Sequence, residues 1–79
     1  MVVVLRTAGL RFVIYRDDHL PPHVHVFGDG ETKVELGADP KDIRIVYTVD
    51  TKRGERRRVE QATRANHAAL LARWSELHG

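Results

Sequence analysis

The chain contains no cysteine, so no disulfide supplements its core and no thiolate serves as nucleophile or metal ligand. It also lacks any apolar run near the ~18–20 residues that spanning a bilayer needs, and no signal-peptide pattern follows Met1. A cytoplasmic protein with no membrane role is therefore expected. Repeats, linkers and low-complexity stretches are missing too. So are a glycine-rich phosphate loop and any arrangement that reads as a nucleophile with its base. Seventy-nine residues leave room for one domain, 1–79, whose small core supplies modest stability. A hydrophobic share of 42% beside a charged share of 30% marks an ordered globular chain rather than a disordered one. So small a core has little space for a deep catalytic pocket, which favours binding over chemistry.

The net charge of +2 is unevenly distributed. Residues 1–40 carry four basic side chains (Arg6, Arg11, Arg16, Lys33) against six acidic ones, whereas residues 41–79 carry nine against five. Five of those nine lie in the segment Lys52-Arg53-Gly54-Glu55-Arg56-Arg57-Arg58. Histidine is distributed the other way. His19, His23 and His25 crowd together, with His67 and His78 far along the chain. These two clusters are where the sequence hints at chemistry.

Alternating apolar positions, the period of a strand with one buried face, run through the first fifty residues. Val2 to Arg6 reads as a strand, Thr7-Ala8-Gly9 as a turn, and Leu10, Phe12 and Ile14 as one face of a second strand that carries Arg11, Val13 and Tyr15 on the other. Asp17 to Pro22 is a loop, since consecutive prolines cannot donate to a ladder. A third strand starts near His23, with Val24 and Val26 facing one way and His23, His25 and Phe27 the other. Gly28-Asp29-Gly30 is expected to supply left-handed turn conformations, and Thr32, Val34 and Leu36 alternate along a fourth strand. After Gly37 to Pro40, residues Ile43, Ile45, Tyr47 and Val49 alternate in a fifth, in which Val46 also reads as buried.

The period then changes. Val59, Ala62, Leu70, Trp74 and Leu77 form one stripe at 100° per residue, which predicts a single amphipathic helix from Glu55 or Arg56 to about Leu77, with Gly79 beyond its end. A lone stripe needs a sheet face to cover. The expected fold is thus α+β, an antiparallel meander of four to five strands covered on one face by the C-terminal helix. Burial of Trp74 is worth about 2–3 kcal/mol in such a scheme.

In Asp18-His19-Leu20-Pro21-Pro22-His23-Val24-His25-Val26, His23 and His25 are two apart on a strand, which sets their Cβ atoms about 7 Å apart on one face. They can grip one ion together, with His19, or a carboxylate from Asp17 or Asp18, as third ligand. Such nitrogen and oxygen donors suit a divalent transition metal, zinc, nickel or iron. Two other readings stay open. The imidazoles can serve structure, bonding backbone groups around Pro21-Pro22. They can also act as general acid and base in metal-free RNA cleavage.

The basic segment joins the last strand to the helix, placing Arg56, Arg57 and Arg58 in its first turn, where the helix dipole disfavours positive charge. That arrangement suits an anionic partner, and Lys52, Arg53, Arg56, Arg57 and Arg58 are the candidate residues for nucleic-acid or anion binding. An acidic protein partner and a plainly solvated edge, partly neutralised by Glu55 and Glu60, are the alternatives. Asn66 interrupts the apolar stripe. If buried, its amide needs partners, and backbone groups or imidazoles of the 19–25 segment are expected to provide them, with Asn66 and His67 completing the histidine site; a slightly rotated helix that leaves Asn66 in water is the alternative.

The string of Asp18-His19, Pro21-Pro22-His23 and His25, followed by a short sheet and a helix bearing Leu70-Leu71 and Trp74, resembles the small bacterial domain-of-unknown-function family 4160. The resemblance covers almost the whole chain, and its motif falls on His19, Pro21, Pro22, His23 and His25. It implies a component of a toxin–antitoxin-like or stress module, with a protein partner encoded nearby or a nucleic acid as its contact, and it carries no established mechanism. The segment from Ala38 to Gly54, with its full strand, departs from the family's pattern. A binding component of such a module, with self-association open to it, is the expected function. A small metal-dependent or ribonuclease-like enzyme centred on His19, His23 and His25 is the alternative.

Overall fold

A computed structural model describes residues 1–78 and shows an α+β fold of one five-stranded sheet and two C-terminal helices. Strands β1 (Val2–Thr7), β2 (Leu10–Ile14), β3 (His23–Phe27), β4 (Glu31–Glu35) and β5 (Arg44–Val49) pair antiparallel in sequence order, so the sheet is a simple meander. A 3-10 turn, Pro40–Asp42, precedes β5. Helices α1 (Arg53–Ala65) and α2 (His67–His78) follow.

Alternation along the strands sorts the side chains as expected. Leu10, Phe12, Ile14, Val24, Val26, Val34 and Leu36 form one buried layer, closed by Val59, Ala62, Leu70 and Trp74 from the helices. The opposite face carries His23, His25, Lys33 and Glu31 in the middle of the sheet, since cross-strand pairing sets His23 against Glu35, His25 against Lys33, and Phe27 against Glu31.

Two turns show why particular residues stand where they do. Ala8 and Gly9 have φ of 54° and 72°, the left-handed pair that a two-residue hairpin matching strand twist requires. Gly28 and Gly30, by contrast, are not left-handed. A Cβ on Gly28 would meet the Glu55 carboxylate and Leu10, and one on Gly30 would meet the carbonyls of Val49 and Asp50. Glycine is needed there for close approach rather than for φ. Glu55 itself is buried at 5% exposure. Its two carboxylate oxygens accept the backbone N–H groups of Asp29 and Gly30 at 2.7 and 3.0 Å, which staples the start of α1 to the β3–β4 turn.

The fifth strand departs from simple alternation. Lys33 pairs with Tyr47 but Val34 with Ile45, leaving Val46 as a bulge. One extra residue reverses the facing of everything beyond it. Ile45 packs against the core, whereas Val46, Tyr47 and Val49 are exposed, at 38%, 39% and 51%. Val46 is therefore not buried, and Tyr47 is carried to the histidine face.

The C-terminal stripe is borne out at Val59, Ala62, Leu70 and Trp74, yet the helix is broken. It begins at Arg53 and is interrupted at Asn66 (φ −114°, ψ 17°), whose backbone N–H and side-chain Nδ2 both donate to the Ala62 carbonyl, at 3.1 and 2.8 Å. An amide that bonds its own preceding turn competes with regular helix geometry. Gly79, expected beyond the helix end, lies outside the described residues.

Candidate metal centre

The loop between β2 and β3 closes over one end of the histidine face. Asp18 N–H donates to the Tyr15 carbonyl at 3.1 Å, and Tyr15 N–H donates back to Asp18 Oδ2 at 3.1 Å. This reciprocal turn, of the kind Asp favours, fixes the Asp18 carboxylate over β3. His23 and His25 then rise towards it from the strand. Asp18 Oδ2 lies 3.3 Å from His23 Nε2 and 3.8 Å from His25 Nε2. One ligand atom from each of the three residues lies within 4.8 Å of the others.

The remaining ring nitrogens are engaged. His23 Nδ1 stands 2.9 Å from the Pro21 carbonyl, which can only accept, so Nδ1 carries a proton. His25 Nδ1 stands 3.3 Å from Glu31 Oε2. The hydrogen bond that Tyr47 donates to this same oxygen at 2.7 Å is the main cause lowering the Glu31 pKa; burial opposes it, and His25 adds to it. Glu31 is thereby held ionised and acceptor-only, and His25 Nδ1 must donate. In a neutral imidazole the other nitrogen is then a bare lone pair. Two such lone pairs face a carboxylate oxygen that also has only lone pairs to offer. A cation between them, a proton or a metal ion, resolves the contact. Outer hydrogen bonds from Nδ1 to a carbonyl and to a carboxylate are also how metal-ligating histidines are oriented. A tetrahedral ion with ~2.0 Å bonds sets its ligand atoms ~3.3 Å apart, a spacing the Asp18–His23 edge already has.

Aromatic rings wall the cluster. Tyr15 meets His25 edge-on with centroids 4.9 Å apart, the Trp74 ring lies 5.1 Å from that of His23, and His78 stacks on Trp74 at 3.8 Å. A shallow depression of about 270 Å³ opens above, lined by Asp18, His19, His23, His25, Lys33 and Glu35 among others. The expected candidates thus separate. His23 and His25 converge, but His19 stands exposed on the rim, and Asp18 takes the third position.

Asn66 and His67 do not complete this site. The Asn66 amide donates within its own helix. His67 is buried and its Nε2 donates to the carbonyls of Leu36 and Gly37, at 2.8 and 3.2 Å, anchoring α2 to the end of β4. What sequence reasoning missed is the supporting cast: Glu31 and Tyr47, recruited by a bulge without a sequence signal, and Trp74 with His78. The alternation of Glu31 and Lys33 with Thr32 was the one available sign that Glu31 shares a face with His25.

The basic segment is dispersed by the helix. Arg56 pairs with Glu60 across one turn. Arg58 donates to the Ala8 carbonyl at 3.1 Å and lies 3.7 Å from Glu55. Lys52, Arg53 and Arg57 are exposed. Among the described residues, no helix is long and apolar enough to cross a membrane.

The family described as "Domain of unknown function (DUF4160)" matches residues 9–75, a span that includes β5 and the basic junction. No curated protein and no solved structure matches.

Proposed function

Because the chain belongs to the DUF4160 family, whose description names no activity, its role must come from its own residues, and we propose that it binds one divalent transition-metal ion through Asp18, His23 and His25. The observation that carries this reading is the convergence of both Nε2 atoms on Asp18 Oδ2 while both Nδ1 atoms are engaged elsewhere. Two imidazoles and a carboxylate suit zinc, nickel or iron(II). The wider role, a binding component of a bacterial toxin–antitoxin-like or stress module with a partner encoded nearby, is proposed on the family resemblance alone. Self-association and a cytoplasmic location belong to the same proposal.

A second reading, a small metal-dependent enzyme, is favoured by the count of protein ligands. Three rather than four is the pattern of sites that keep a position for water or substrate, and the depression above Asp18 gives such a ligand access. The metal-free, ribonuclease-like version is less well supported, because both Nε2 atoms face Asp18 rather than open space.

Elemental analysis of the purified protein, loaded with zinc and freed of excess by gel filtration, tests the proposal. About one zinc per chain is expected from a single three-ligand site, with Asp18→Asn and His25→Gln retaining less than about a tenth of it. Wild-type protein that retains none overturns the proposal.

A further inference from the structure

A second cluster lies at the other end of the same sheet, and it owes nothing to the metal site. We infer that Arg6, Arg11 and Arg58 form a phosphate cradle that binds single-stranded nucleic acid.

Arg6 and Arg11 are direct cross-strand partners on β1 and β2. Like charges placed opposite each other in a ladder destabilise it. Among the described residues neither has a carboxylate within ion-pair distance. A third guanidinium arrives from α1, where Arg58 is held over the hairpin by its bond to the Ala8 carbonyl. All three line one open depression of about 810 Å³. The acids that share it are Glu55 and Asp29, and Glu55 accepts two backbone N–H groups while lying 3.7 Å from Arg58, so three guanidiniums stand against two carboxylates. The depression therefore presents net positive charge.

Its chemistry points to nucleic acid rather than to a lone anion. The Arg11 guanidinium lies 5.4 Å from the centroid of Phe27, so one of the three arginines also lies over an aromatic ring and offers a planar cation–π surface to an unpaired base. Single-stranded nucleic acids are held by this combination, phosphates on cations and unpaired bases on π faces. A duplex keeps its bases stacked within itself and has none to offer. Exposed Lys52, just before α1, and Arg53 and Arg57 in its first turns extend the positive surface from the same end of the domain. Arg58 is thus the one member of the sequence-level basic segment that reaches the cradle. Arg6 and Arg11 were not singled out there, because the pairing that opposes them is set by the hairpin turn.

Fluorescence anisotropy with labelled single-stranded RNA and DNA tests the cradle, using a duplex, inorganic pyrophosphate and polyglutamate as competitors. Single strands are expected to bind in low salt, with a log–log salt slope of about −2 for three phosphate contacts. Arg6→Gln and Arg11→Gln should each weaken binding about tenfold. Arg73→Gln, which breaks an ion pair with Glu76 on α2, should leave it unchanged. The melting temperature of Arg6→Gln should equal or exceed that of the wild type, because a like-charge pair is removed. Binding should persist in EDTA, which separates it from the metal proposal. Wild-type affinity in the arginine variants, equal competition by duplex, pyrophosphate or polyglutamate, or loss of binding on chelation overturns the inference.

Discussion

His23 Nε2 and Asp18 Oδ2 face each other at 3.3 Å, and with His23 Nδ1 donating to Pro21 a neutral imidazole and an ionised carboxylate have no proton to share between these two atoms. This contact is what sets the domain's chemistry apart from ordinary packing. Replacing Asp18 by Asn lets the amide donate to His23 without a cation, but gives up the Tyr15 N–H bond that the same Oδ2 accepts. The metal-free Asp18→Asn protein should therefore lie within about 1 kcal/mol of wild type. The two should diverge on adding zinc. Wild type gains about 2.7 kcal/mol at a hundredfold excess over Kd, and the variant gains almost nothing. Parallel thermal melts with and without zinc check this.

Glu55 carries two backbone hydrogen bonds from a buried position. Glu55→Ala leaves the Asp29 and Gly30 N–H groups unpaired, and a loss of about 3 kcal/mol is expected. Urea denaturation measures it. Glu55→Gln, which retains one acceptor oxygen, should lose less. Equal stability of all three proteins would show that the β3–β4 turn does not depend on α1.

Tyr47 links stability to alkaline pH. Its hydrogen bond to the Glu31 carboxylate, aided by burial, pushes the phenol up to about 12 from an ordinary value of 10. Between those values the unfolded chain releases the phenolic proton while the folded chain retains it, so stability is full below pH 10 and falls as pH rises towards 12. At the acid end the sign reverses for Glu31, whose lowered pKa gives stability that is lost as pH falls through its folded value. Tyr47→Phe should flatten the alkaline limb and move Glu31 back towards its ordinary range. Denaturation midpoints across the pH range give the comparison.

Asn66 tests the helix break. Because its amide bonds only the Ala62 carbonyl, Asn66→Ala should alter stability by no more than about 1 kcal/mol, as alanine offsets the lost bond with better helix propensity. Zinc affinity should not change. An affinity loss of tenfold or more would tie Asn66 to the histidine site after all.

The meander and its core were legible because each strand alternates cleanly, with Leu10, Phe12 and Ile14 or Thr32, Val34 and Leu36 facing one way. The Trp74 stripe was legible for the same reason at helical spacing. The bulge at Val46 was not, since Ile45-Val46 is a run of β-branched residues with no Gly or Pro to mark a register shift. Glu55 read as a surface counter-charge because nothing local shows that the Gly28–Gly30 turn lies above it. At the histidine string, spacing placed His23 and His25 on one face. The choice of Asp18 over His19 depended on which way the loop turns, and that is settled by the reciprocal Tyr15–Asp18 bonds.

Cobalt(II) titration of the metal-free protein tests the central proposal most directly, because visible absorption reports the coordination of the ion and Trp74, the only tryptophan, lies 5.1 Å from the His23 ring. Saturation at one cobalt per chain is expected, with the visible bands and quenching of Trp74 rising together and both abolished in His25→Gln and Asp18→Asn. A wild-type protein that shows neither signal, or variants that titrate as the wild type does, would contradict a metal centre at Asp18, His23 and His25.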